Sequence, residues 1–221
     1  MNGIGTGPGT GTPLTLPEEL LLLGLDPVRG RPLTNPKYLH YGLAGAALAD
    51  LEAAGRITVE RGDRITVTNP LPLGNAIGDG ALAALPAPAK GGKGVKAHRW
   101  VHGAGRPLHE LCLRVLEKRG ALRRETHRAL GLFPYERFPV GPVDLTGPAR
   151  ARFTAAVDAG LPGWRDRLLA AQVAACDLDV RLLPGAAGRS RRRALRGLAK
   201  ECWTSRAVHH AVQQDKSAAG G

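Results

Sequence analysis

From Leu39 to Ala54, leucines and small residues recur at three- and four-residue spacing, with Leu39, Leu43, Ala47, Leu48 and Leu51 on one side and Gly55 just beyond the end. That spacing is the helical period, and a glycine past the last turn supplies the left-handed conformation in which helices commonly stop. Gly42, Ala46 and Ala47 carry so little side chain that a second helix can approach closely. The segment predicts a central helix around which the rest of the chain packs. Aromatics make up 4% of the chain and hydrophobics 43%, so the core must be built mostly from Leu, Val and Ala, which favours packed helices over an aromatic-rich sandwich.

The 221 residues suit one domain with loose ends. Residues 1–13 are Gly, Thr and Pro with almost no apolar content and cannot offset their ordering entropy, which predicts a disordered tail. A second short tail is expected at 214–221, leaving 14–213 as the folded domain. Leu14 to Leu25 places Pro17 in a first turn, Glu18 and Glu19 at the positive end of the helix dipole and Gly24 as a stop, a short buried helix. Ile57 to Val67 alternates around Gly62-Asp63 and predicts a hairpin, whose turn also accounts for the Arg61-Gly62-Asp63 triplet. Residues 86–97, with Lys90, Lys93 and Lys96, have the composition of a linker. Pro107 is expected to open a helix through Arg119. Ala129 to Val140, broken by Pro134 and Pro139, cannot be a helix interior and is expected to form an extended, projecting hairpin. Further helices are expected at about 148–159, 164–176 and 189–202, followed by a last turn or two to Val212.

Catalytic inventory is thin. Among the sequence motifs there is no nucleophile elbow, P-loop or dinucleotide fingerprint, and the Gly-rich start has no strand before it. His98 and His102 stand four apart, but no Cys or carboxylate nearby completes a ligand set, so no metal and no cofactor are expected. His209 and His210 are adjacent and point to different faces. Cys112, Cys176 and Cys202 are odd in number and each sits in an apolar helical pattern, as expected of reduced, buried thiols in a cytoplasmic protein. No signal peptide or membrane span is expected, and the chain is not expected to be an enzyme.

Charge is more informative. The formal net charge is +12 and the pI about 10.5, a field that attracts phosphates, nucleic acid or anionic headgroups. Arg189, Arg192, Arg193, Arg196 and Lys200 fall within about a third of a helical circumference, opposite Leu195, Leu198 and Cys202. One face of that helix is core and the other a candidate contact with anionic lipid or nucleic acid, with a merely solvated face as the plain alternative.

Three stretches, in order, resemble the Golgi phosphoprotein 3 family: Leu16-Pro-Glu-Glu-Leu-Leu-Leu-Leu-Gly-Leu25, then Gly42-Leu-Ala-Gly-Ala-Ala-Leu-Ala-Asp-Leu-Glu-Ala-Ala-Gly-Arg-Ile-Thr-Val-Glu60, then Leu111 to Arg124 around Glu-Lys-Arg-Gly-Ala-Leu. The resemblance covers about 14–212. It implies a mainly α fold, a single-domain helical bundle surrounded by short amphipathic helices with one or two β-hairpins, and peripheral membrane binding through phosphatidylinositol 4-phosphate. The family's lipid pocket uses a Trp and an Arg near the central helix, where this chain has Asn35 and Ala44, and two Arg residues three apart, where it has Arg106 and His109. One of four is kept. Eukaryotic members link glycosyltransferase tails to vesicle coats through a basic N-terminal segment, which this uncharged tail lacks. The family's projecting hairpin falls at Ala129 to Val140, so that Phe133, Tyr135 and Phe138 are expected to insert into a membrane or meet a second protomer.

The expectation is therefore a non-enzymatic, cytoplasmic peripheral membrane protein that binds an anionic phospholipid surface. Arg106 and His109 are expected to form the remnant of a headgroup pocket at a helix start, where phosphate would favour the protonated imidazole and binding would strengthen as pH falls. Self-association into a homo-oligomer and contact with nucleic acid stay open. The rival is a basic DNA-binding regulator with a winged-helix-like arrangement.

Overall fold

In a computed structural model that describes residues 13–86, 94–129 and 133–220, the chain runs α1 (Leu16–Gly24), α2 (Pro36–Ala53), β1 (Ile57–Glu60), β2 (Arg64–Val67), α3 (Ala76–Ala83), β3 (Val95–Lys96), α4 (Ala97–Lys118), β4 (Glu125–Ala129), β5 (Phe133–Arg137), α5 (Thr146–Asp158), α6 (Trp164–Ala175), α7 (Asp179–Leu182), α8 (Arg189–Glu201) and α9 (Trp203–Ala219). The fold is mainly α, with two small antiparallel sheets among the described residues. Residues 1–12, Lys90, Lys93 and residues 130–132 lie outside them, as do the side chains of Ala129, Phe133 and Pro134.

The central helix is α2, which packs on α1, α3, α4, α6 and α9. Its small residues set those approaches. A Cβ on Gly45 would lie 2.4 Å from Val208 Cγ2 and 2.6 Å from Gln172 Oε1, and one on Gly42 3.1 Å from Cys176 Sγ. Helix α1 starts with a capping box in which Thr15 N–H donates to Glu18 Oε2 (2.7 Å) and Glu18 N–H to Thr15 Oγ1 (3.3 Å). All of α1 is buried, so Glu18 and Glu19 are carboxylates inside the protein, and each takes arginine. Arg119 Nη1 donates to Glu18 Oε1 at 2.9 Å, while Arg152 and Arg165 both bind Glu19. Buried carboxylates demand such pairing, and here it ties α1 to the end of α4, to α5 and to α6.

Helix α4 departs from expectation. It begins at Ala97 and passes straight through Gly103, Gly105 and Pro107. Pro107 lies on the solvent side, and the residue four before it, whose carbonyl a proline ring would crowd, is the exposed Gly103. Gly105 serves packing, since a Cβ there would lie 2.9 Å from His40 O. The expected linker also contributes structure: Val95 and Lys96 form β3 on β2, and Lys96 Nζ donates to Gly62 O at 2.8 Å.

Helix α9 reaches Ala219, seven residues beyond the expected helix end at Val212. Its last turns are held by the rest of the fold, with Tyr41 Oη donating to Asp215 Oδ2 (3.1 Å) and Lys216 Nζ to Asp177 Oδ2 (2.7 Å). Helices α3 and α7 were not anticipated; both are short, eight and four residues.

Candidate anion-binding surface

Helix α8 turns Leu195 and Ala199 into the core and leaves Arg189, Arg193, Arg196 and Lys200 exposed, with Arg192 half-buried. A glycine at its N-cap is required, because a Cβ on Gly188 would lie 2.2 Å from Leu183 O. Two of the five cations anchor the helix. Arg196 Nε donates to Asp179 Oδ2 at 2.8 Å, and the Arg192 guanidinium donates to the carbonyls of Leu183 and Gly185. Among the described residues no carboxylate lies within ion-pair distance of Arg189, Arg192, Arg193 or Lys200. The face thus sets five cations around a depression of about 430 Å³ against one carboxylate, Asp179. The acid at the end of α8, Glu201, sits on the other flank beside Arg167 (3.9 Å).

The structure does not place Arg106 and His109 at a helix start, because α4 begins nine residues before Arg106. Their backbone groups belong to a continuing helix and offer no free donors. Arg106 is exposed, but the His109 side chain is only 12% exposed, with its ring 4.4 Å from that of His40. Burial pushes both imidazoles down to about 4, helped for His40 by His109 and for His109 by Arg124. His109 therefore carries no charge near neutral pH, the reverse of the protonated ring expected beside phosphate. Asn35 caps α2, accepting from Lys37 N–H at 3.0 Å, and Ala44 is fully buried.

The hairpin β4–β5 pairs from Glu125 with Arg137 to Ala129 with Phe133. Phe138 does not project. It is 7% exposed, and its N–H donates to Gly30 O at 2.9 Å. Gly30 has φ +62°, and a Cβ there would lie 2.3 Å from Pro139 N, so the strand's exit is seated on the 26–31 loop and the aromatic ring goes inward with it. Tyr135 is half-buried: Arg137 Nη2 donates to its hydroxyl at 2.8 Å and His127 stacks on its ring.

His98 and His102 do not converge. His98 meets His210 at 4.4 Å between ring centroids, and His102 stacks on Tyr41 beside Asp215. Among the described residues no group of three or more His, Cys, Asp and Glu could hold a metal, and no helix is long and apolar enough to cross a membrane. Cys112 and Cys176 are buried thiols whose pKa burial raises well above the usual value, which leaves them protonated and unreactive.

Sequence reasoning missed the cations of α9. Arg206, His209, Gln213 and Lys216 share one face, and their three- and four-residue spacing, continued past Val212, was the signal.

Compared with known proteins, residues 16–214 match a family model described as Golgi phosphoprotein 3 (GPP34). No curated protein matches the chain.

Proposed function

The chain belongs to the Golgi phosphoprotein 3 family, and from that premise we propose that it is a non-enzymatic, cytoplasmic peripheral membrane protein whose α8 face docks on anionic phospholipid. The observation that carries this reading is the exposed row of cations on α8 over a buried apolar side, with Asp179 the one opposing carboxylate. Cations near an anionic leaflet contribute about 1 kcal/mol each, so the face can supply the affinity without a deep pocket. Phosphatidylinositol 4-phosphate is the headgroup that the family resemblance implies, and Arg106 is the exposed cation left at the family's pocket positions. The DNA-binding rival needs its basic helix beside a hairpin, whereas α8 packs chiefly on α6 and α9.

Vesicle flotation at two salt concentrations tests the proposal. Binding should be strong on phosphatidylserine-containing vesicles, weak on neutral phosphatidylcholine, and sharply reduced by salt. Equal binding to both, or a preference for duplex DNA in a gel shift under the same conditions, overturns it.

A further inference from the structure

Helices α8 and α9 would be one helix but for Cys202, whose extended backbone (φ −81°, ψ 122°) makes an elbow between them. Between α8, α9 and the end of α6 lies a cavity of about 630 Å³, a size typical of small-molecule sites. Its lining is distinct from the outer face of α8: it shares Arg196 and Lys200 with that face, but not Arg189, Arg192 or Arg193. Four cations line it, Arg196 and Lys200 from α8 and Arg206 and Lys216 from α9, against one lining carboxylate, Asp177. Ala174 and Ala199 give it a small-residue floor.

Three of these cations are already held in place. Arg196 is fixed by Asp179, and Arg206 donates to the carbonyls of Lys200 (3.3 Å) and Glu201 (3.1 Å) and to Asp63 (3.2 Å). Lys216 rests on Asp177. Cations ordered beforehand lose less freedom when a ligand arrives. The Lys216–Asp177 pair is about 40% exposed on both sides (41% and 39%), so solvent weakens it, and a phosphate with more charge can draw the ammonium away. No carboxylate among the described residues lies within ion-pair distance of Lys200. The walls bring charge from two helices to one space, which a single-charge anion would underuse and a chain of phosphates would span.

We propose that this elbow cleft binds a multiply phosphorylated small anion, whether soluble or presented as a phosphorylated lipid headgroup. It does not rest on the membrane reading, since a soluble ligand can fill the cleft even if the α8 face never meets a bilayer.

Calorimetric titration of the full chain with inorganic pyrophosphate, at fixed moderate salt, tests it. Wild type should bind, and the double variant Lys200→Gln, Lys216→Gln should bind at least tenfold more weakly. A second double variant, Arg189→Gln, Arg193→Gln, removes the same charge outside the cleft and should bind within threefold of wild type. Circular dichroism checks that each is folded, and all four side chains are exposed. No binding by wild type, or equal weakening by the two variants, overturns the cleft. The source is read from flotation on vesicles containing phosphatidylinositol 4-phosphate, with pyrophosphate as competitor. Displacement that the cleft variant abolishes supports a lipid headgroup, and pyrophosphate binding without displacement supports a soluble ligand.

Discussion

Arg196 Nε donates to Asp179 Oδ2 at 2.8 Å across the solvent boundary: the guanidinium is 55% exposed while the carboxylate is fully buried. One arginine of the basic face therefore pairs with one oxygen of a buried acid at the α6–α7 corner, and its two duties separate on mutation. Arg196→Ala should lower unfolding free energy by about 1–3 kcal/mol, the cost of leaving a buried acceptor unsatisfied. Arg193→Ala, with no such partner, should change it by less than about 0.5 kcal/mol. Urea denaturation of both variants checks this, and equal values would mean that the Asp179 contact contributes nothing.

Gly45 is where α2 meets α6 and α9. An added methyl would press on Val208 and Gln172, and overpacking a tight core costs about 1–3 kcal/mol. Gly45→Ala should lose that much in thermal or chemical unfolding despite alanine's better helix propensity, while Gly103→Ala, where nothing lies within 4 Å, should gain up to about 1 kcal/mol.

His40 and His109 give the fold an acid-side pH dependence. Their pKa values fall to about 4 in the folded protein, against about 6.5 in an unfolded chain. Between those values the unfolded chain takes up protons that the folded one does not, so stability falls as pH drops through the window and is level above it. The expected loss from pH 6.5 to 5 is on the order of 1–2 kcal/mol per imidazole. A His109→Gln variant should show a flatter profile of urea midpoint against pH. Parallel profiles for variant and wild type would show that this ring does not titrate as its burial requires.

The hairpin divides at Phe138. Replacing its outer part, residues 128–134, by a two-residue Asn-Gly turn joins the partners His127 and Tyr135 and should leave helical circular dichroism unchanged. Phe138→Ala should destabilise the domain by about 3–5 kcal/mol, as a buried ring lost from a core does. Similar effects from both changes would contradict the seating of this segment on the Gly30 loop.

What was legible in the sequence followed from period and caps. Leu39 to Leu51 show their buried side directly and so does Leu195, whereas Leu198 and Cys202 are only half-buried and α8 buries Ala199 in their place. Pro17 with Glu18 and Glu19 marks a helix start by chemistry that needs no tertiary context. The basic face of α8 was equally legible, because five cations on one arc cannot all be buried. Pro107 misled because a proline inside a helix is tolerable only where its ring meets solvent and the carbonyl it crowds can give way, and that depends on the fold. Phe138 misled in the opposite sense: its neighbours Pro134 and Pro139 exclude a regular central strand, yet the docking of its backbone on Gly30 depends on residues more than a hundred positions away. The elbow cleft was illegible because its walls come from α6, α8 and α9, and only the angle at Cys202 brings them together.

That exposed cations of α8 hold the protein to an anionic bilayer is tested by the affinity of the triple variant Arg189→Gln, Arg193→Gln, Lys200→Gln for phosphatidylserine vesicles. None of the three side chains pairs with a carboxylate among the described residues, so folding should be retained. At about 1 kcal/mol per cation, binding should weaken about a hundredfold and lose part of its salt dependence. A control triple, Arg61→Gln, Arg99→Gln, Arg114→Gln, removes equal charge from exposed sites on other elements and should weaken binding much less. If the two triples weaken it equally, the attraction is spread over the whole charged surface and α8 is not the docking face.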